Sequence, residues 1–155
     1  MITNIEHINA HGSAHINEDQ FLIQPEHGLF AVFDGGLIAA ETARDVFSST
    51  SGTLVERAIE ANLAIEAVHK RLHIDTTLLL VGVRLILLLT DGMFLPKPDP
   101  NAPEDWKALI DIYHRGGLQG IVNEVRFLEA IDPTLDTYPR YKLHDDATAI
   151  ALEFA

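Results

Sequence analysis

Positions 2–8 alternate loosely between apolar and polar side chains, the two-residue period of a half-buried strand. The polar segment 11–16 reads as a loop. Two short apolar runs, 21–23 and 29–33, flank Gln24-Pro25-Glu26-His27-Gly28, a strong turn signal, and together predict a hairpin. Its second strand delivers Asp34 directly onto a Gly35-Gly36 turn. The alanine-rich spacing of 38–47 predicts a helix, broken around 48–52. Leu54, Ala58, Ala61, Ile65, Val68 and Leu72 then recur at fours and threes, which places them on one face of a second helix over 53–72. The unbroken apolar runs 76–81 and 85–90 predict strands covered on both faces, with Gly82 where they could turn.

Pro96, Pro98, Pro100 and Pro103 exclude regular structure from 94–103, which is therefore a loop. Helices are predicted over 104–114 and 118–130, split by Arg115-Gly116-Gly117. The stretch 132–144 is an irregular connection to a last strand over 147–154. Roughly six strands and four helices in this order predict an α+β fold, with helices packed on a mostly antiparallel sheet or sheet pair.

At 155 residues the chain is expected to form one domain. A chain of this size buries about 70% of the surface its unfolded form exposes, and the 47% hydrophobic content can fill such a core. The most apolar stretch, 78–89, is interrupted by Gly82 and Arg84 and falls well short of the ~20 residues a membrane span needs. With 23 acidic against 11 basic residues the formal charge is −12, and no basic run offsets it. Nucleic acid is thereby excluded as the expected partner, because phosphate-backbone binding depends on clustered Lys and Arg. Zero cysteines exclude disulfides and thiolate chemistry. The segment 1–10 lacks the basic and apolar regions of a signal peptide. A soluble, cytoplasmic protein with no membrane partner is the expectation.

The chemistry concentrates in four acidic motifs, each at the end of an apolar run: Asn17-Glu18-Asp19, Asp34-Gly35-Gly36, Thr90-Asp91-Gly92 and Asp145-Asp146-Ala147-Thr148. Carboxylates at strand ends can converge from neighbouring strands. On glycine-containing turns they suit hard divalent cations, which take oxygen ligands and keep several waters. The pattern points to a metal site.

In this order the motifs resemble the metal-dependent type 2C serine/threonine protein phosphatases. The resemblance is carried by Asn17-Glu18-Asp19-Gln20-Phe21, the run from Leu29 through Phe33 to Asp34-Gly35, Ala61-Asn62, Asp75-Thr76-Thr77-Leu78, the run from Leu87 through Thr90 to Asp91-Gly92-Met93, and Asp145-Asp146-Ala147-Thr148-Ala149-Ile150. It implies two packed antiparallel sheets flanked by helices, an α-β-β-α sandwich here with fewer strands, and a centre of two Mn²⁺ or Mg²⁺ ions at one end. It implies that Asp34 bridges the ions, that Glu18 and the Gly35 carbonyl complete one of them, and that Asp91 and Asp145 hold the other. Such a pair activates a bridging water and clamps the oxygens of an in-line phosphoryl displacement. The implied activity is hydrolysis of phosphoserine and phosphothreonine in a phosphoprotein or phosphopeptide, with Asp34 and Asp91 as the catalytic pair.

The chain departs from the family pattern in three places. Ala14 stands where the family carries a phosphate-binding arginine, and nothing in the sequence replaces its bidentate fork. The family's Asp-Gly-x-Gly-Gly turn is shortened to Asp34-Gly35-Gly36-Leu37. Asp75-Thr76-Thr77 runs almost directly into the strand at 85–90, where the family inserts a large block. These departures motivate a second reading, a pseudophosphatase that keeps the fold as a metal-binding or protein-binding regulatory module. Strand edges left by the missing block also raise the expectation of a homo-oligomer.

Asp19 and Asp146 are expected to be structural, since the resemblance uses one acid of each doublet. His11 and His15, with Gly12-Ser13 between them, read as loop surface and not as a zinc pair. His144 is expected either to orient Asp145 or to face solvent. Trp106 and Tyr113, seven apart on a predicted helix, are expected in the core.

Overall fold

The structure, a computed structural model, describes residues 1–14, 16–34, 37–49, 51–53, 56–57 and 83–155. Its elements are β1 (Ile2–Ala10), β2 (Gln20–Gln24), β3 (Leu29–Phe33), α1 (Leu37–Ser49), β4 (Leu85–Leu89), α2 (Trp106–Ala130) and β5 (Ala147–Phe154), with short 3-10 turns at Pro25–His27 and Asp91–Met93. The fold is mixed α+β with antiparallel sheets and two helices among the described residues.

β5 is the centre of a three-stranded sheet ordered β1-β5-β4, antiparallel to both neighbours. Its register sets Ala10 opposite Ala147 at one end and Leu89 opposite Ala149 beside it. Ala147, Ala149 and Ala151 share one face and pack under Leu109, Tyr113, Leu118, Ile121, Val122 and Val125 of α2. Small side chains there leave room for the larger helix residues, so the helix and sheet fill one continuous core. The alternate residues Thr148, Ile150 and Leu152 are also buried, so β5 is covered on both faces.

β2 and β3 form the expected hairpin, with Gln20 opposite Phe33 and Gln24 opposite Leu29. Pro25 opens the turn with its φ already fixed, and Gly28 closes it at φ 63°, donating its N–H to the Pro25 carbonyl at 3.0 Å. Ala43 and Phe47 of α1 pack on Leu22 and Leu29 of this hairpin. β3 contacts both β4 and β5, which joins the two sheets and carries Asp34 to the end of the larger one.

The helices foreseen at 104–114 and 118–130 are present and divide at the expected glycine pair, by a kink within α2. Gly117 adopts φ 63°, ψ −162°, and the Leu118 N–H it frees is taken by Glu6 Oε1 of β1 at 2.8 Å. The helix begins at Trp106, where the Asp105 side chain caps it by accepting from the Ala108 N–H at 2.9 Å. Several expectations are corrected. Trp106 is not in the core; it is 51% exposed and meets the Phe94 ring edge-on at 5.5 Å. The packed face of α2 starts one turn later at Leu109, and the first turn projects past it. Tyr113 is core, and its hydroxyl donates to Glu153 Oε1 at 2.8 Å.

β4, expected to be covered on both faces, is half-buried throughout. Among the described residues its one paired neighbour is β5. The expected strand at 76–81, the turn at Gly82 and nearly all of the expected helix at 53–72 lie outside the described residues. At the start of that helix Thr53 and Glu56 exchange hydrogen bonds, Glu56 N–H to Thr53 Oγ1 at 3.3 Å and Thr53 N–H to Glu56 Oε2 at 2.7 Å, which is the reciprocal pairing of a helix-starting capping box. No helix among the described residues is long and apolar enough to cross a membrane.

Candidate acidic site

Three of the four acidic motifs are fastened to one another by short hydrogen bonds. Asp146 Oδ1 accepts the Gly12 N–H at 2.6 Å and Oδ2 accepts the Glu18 N–H at 2.7 Å, which ties the β1–β2 loop to the start of β5. Thr90 Oγ1 donates to Asp19 Oδ2 at 2.6 Å and accepts the Thr148 N–H at 3.0 Å, while the Thr90 N–H reaches the Thr148 carbonyl at 3.0 Å. Asp19 is held from its own side as well, its N–H donating to Asn17 Oδ1 at 2.9 Å. Asp19, Thr90, Asp146 and Thr148 are all buried. Asp19 and Asp146 are therefore the frame on which the other acids are mounted.

The backbone at 145–146 passes between two glycines. A β-carbon on Gly12 would stand 2.5 Å from the Asp145 carbonyl carbon, and one on Gly92 would stand 1.8 Å from the Asp146 carbonyl oxygen. The glycine of Thr90-Asp91-Gly92 thus serves close backbone approach, beyond any need for turn flexibility. The matching requirement at Gly12 is invisible in the sequence, where a lone glycine sits in a polar loop.

The electrostatics report convergence. Burial, the largest cause, raises the Asp19 carboxyl above its ordinary value; the Thr90 hydrogen bond opposes that, and the charges of Asp146 and Asp145 add to it. Burial likewise raises Asp34, reinforced by the Asp19 charge and offset by hydrogen bonding with Asp91. Asp91 is raised by burial, then by the charges of Asp34 and Asp145 and by the hydrogen bond with Asp34. Both Asp34 and Asp91 have exposed surface, yet enough protein crowds their carboxyls for desolvation to lead. The Asp34 charge thus disfavours that of Asp91, and a hydrogen bond links the two carboxyls.

Asp145 is positioned from outside the motif. Arg126 of α2 donates to the Asp145 carbonyl at 2.5 Å and is itself held by Glu129 Oε2 at 2.8 Å. His144 Nδ1 lies 2.9 Å from the same Glu129 oxygen. So His144 meets Glu129, neither orienting Asp145 directly nor standing free. The Asp145 carboxylate accepts from Lys142 Nζ at 2.7 Å and from the Asp146 N–H at 2.9 Å. That bond raises the Lys142 ammonium above its ordinary value, against burial, with the charges of Asp145, Glu18 and Asp146 assisting; Glu18 therefore faces the same group.

The connection carrying Lys142 is organised by Asp132, 3% exposed, whose carboxylate accepts the N–H groups of Asp136, Thr137 and Tyr138 and the Arg140 guanidinium at 2.9 Å. Arg126, Glu129, Asp132 and Lys142 had no motif to mark them. His11 is exposed, as a surface residue should be, and Gly35 and His15 lie outside the described residues.

The donor set fits a hard divalent cation by its chemistry: carboxyls whose charge is disfavoured by burial and by neighbouring acids are relieved by added positive charge. Their present arrangement does not form a group of three ligands among the described residues. Asp34 is engaged with Asp91, and Asp145 with Lys142. No family model, curated protein or solved structure matches this chain.

Proposed function

We propose that this chain is a single shortened domain of the type 2C phosphatase kind, a cytoplasmic metal-dependent phosphoric monoester hydrolase acting on phosphoserine and phosphothreonine in a phosphoprotein or phosphopeptide. The observation that carries the reading is the convergence of Asp34, Asp91 and Asp145, with Asp34 and Asp91 hydrogen-bonded to each other, at the end of the joined sheets. Packing of α2 on the three-stranded sheet, of α1 on the hairpin, and of β3 on β4 and β5 supports the α-β-β-α arrangement.

Asp34, Asp91, Asp145, Glu18 and the Gly35 carbonyl would hold two Mn²⁺ or Mg²⁺ ions. When bound, such ions supply an activated water and positive charge for the phosphoryl oxygens. The chain's own part is positional. Thr90 and Asp19 fix the turn that presents Asp91, Asp146 fixes the loop that presents Glu18, and Arg126 fixes the carbonyl of Asp145. Cation binding would require the hydrogen bond between Asp34 and Asp91 to open and Asp145 to part from Lys142.

The test is hydrolysis of p-nitrophenyl phosphate with Mn²⁺, wild type against Asp34→Asn, with Mn²⁺ affinity measured by calorimetry on the same samples. Activity and affinity both lost in the variant support the assignment; activity untouched by Asp34→Asn ends it. The Lys142–Asp145 ion pair favours a second reading, a pseudophosphatase acting as a binding module, since an ammonium already neutralises one acid. Tight Mn²⁺ binding with no turnover above the metal-only rate would select it.

A further inference from the structure

A cleft of about 270 Å³ opens beside the acidic site, with Asp91 and Asp145 at one end and the 94–97 and 138–142 segments as walls. Three cations line it: Lys97, Arg140 and Lys142. Lys97 is committed, donating to Glu104 Oε1 at 2.5 Å and to the Ala102 carbonyl at 2.6 Å, with its side chain 21% exposed. Arg140 is more so, its guanidinium spread over the Asp132 carboxylate and the carbonyls of Glu129, Asp132, Tyr138 and Leu143. Lys142 differs. Its one hydrogen bond among the described residues goes to Asp145 Oδ1, and its side chain is 44% exposed. An ammonium has three donors, so two remain for an incoming ligand.

We propose that this cleft receives the phosphoryl group of a phosphomonoester and that Lys142 Nζ is the cation that binds its oxygens. The inference rests on the metal-phosphatase reading above. Asp91, Glu104, Glu129 and Asp145 give the cleft an acidic lining that repels a phosphate dianion, and of its cations Lys142 has the most donors to spare and the most exposed side chain. Its flexible four-carbon stem can turn the ammonium from Asp145 to a ligand without backbone movement. Were Asp145 to hold a divalent cation, Lys142 would give up that carboxylate and be free for the substrate. Metal and phosphate would then occupy the site together, because the lysine exchanges one partner for the other.

Lys142→Gln separates this role from a structural one. With saturating Mn²⁺, KM for p-nitrophenyl phosphate and Ki for inorganic phosphate should each rise about tenfold, the size expected for one charge-assisted hydrogen bond. Mn²⁺ affinity should hold or tighten, since a competitor for Asp145 has gone. Lys142→Arg should recover much of the phosphate affinity, and Lys107→Gln, on an exposed surface pair with Asp111, should change nothing. Unchanged KM and Ki in an active Lys142→Gln protein would overturn the inference alone. Weaker Mn²⁺ binding in that variant would also overturn it, making Lys142 a brace for Asp145. A wild type that neither binds Mn²⁺ nor hydrolyses p-nitrophenyl phosphate would remove the phosphatase reading and this inference together.

Discussion

Gly92 lies so close to Asp146 that a β-carbon on it would stand 1.8 Å from the Asp146 carbonyl oxygen, with the Cα of Ala147 only 3.3 Å away. The obstacle is backbone at the start of the central strand, which no rotamer change can clear. Gly92→Ala is therefore expected to cost more than about 2 kcal/mol by forcing apart the Asp91–Met93 turn and β5. Gly116→Ala provides the contrast: nothing lies within 4 Å of its β-carbon position, and alanine there should be neutral or slightly stabilising. Urea unfolding of the two variants checks both; equal midpoints would contradict the close approach.

Thr90 is the hub of the buried frame, its hydroxyl donating to Asp19 while accepting from the Thr148 N–H. Thr90→Val keeps the shape and removes both bonds. It leaves a buried carboxylate and a buried amide without that partner, at a cost of about 1–3 kcal/mol. Asp19 should then be raised further, because the hydrogen bond opposing its desolvation is gone. Chemical denaturation gives the first quantity and carboxyl-carbon NMR titration the second.

The raised carboxyls give stability an unusual pH dependence. Asp19, Asp34 and Asp91 bind protons more tightly in the folded chain than at the ordinary value of 3.8. Their contribution therefore grows as pH falls through their folded values and is complete below the unfolded value. Asp132 has the opposite sign: although burial opposes it, three backbone N–H groups and Arg140 hold it below 3.8, so its contribution is lost as pH falls through that lowered value. The melting temperature should rise on acidification from neutral pH and fall only in stronger acid. Asp91→Asn should flatten the rise, and Asp132→Asn the fall. A melting temperature that declines steadily from neutral pH would contradict the convergence of the acids.

Mn²⁺ should reverse the penalty of crowding. At a free concentration about 100 times Kd, a single-site ligand of the folded state adds about 2.7 kcal/mol, and the gain should be larger near neutral pH, where cation and proton compete less. Asp34→Asn and Asp91→Asn should each remove most of the gain. Thermal unfolding with and without Mn²⁺ measures it, and an equal gain in both variants would place the cation elsewhere.

Much of the scaffold was legible in the residues. The 24–28 turn announced the hairpin because proline fixes φ and glycine admits the left-handed φ that closes such a turn, and the final strand followed from an apolar run after two acids. Arg115-Gly116-Gly117 marked a discontinuity, but whether it made a loop or a kink depended on Glu6, more than 100 positions away, supplying the hydrogen bond. Trp106 had the right spacing for the core and lies outside it, because spacing fixes a helix face without fixing where the packed sheet begins.

The sequence by itself determined that carboxylates would stand at strand ends, since a polar motif closing an apolar run must lie where the strand leaves the core. Tertiary structure alone decided which acids serve as frame and which face the cleft: Asp19 and Asp146 are consumed by hydrogen bonds from distant loops, while Asp34, Asp91 and Asp145 are left crowded together. It also decided that Lys142, three residues before Asp145 and part of no motif, would be the cation meeting them. Local chemistry is written in neighbouring residues, whereas charge pairing depends on distances that exist only after the sheets, the helix and the Asp132-centred connection have packed.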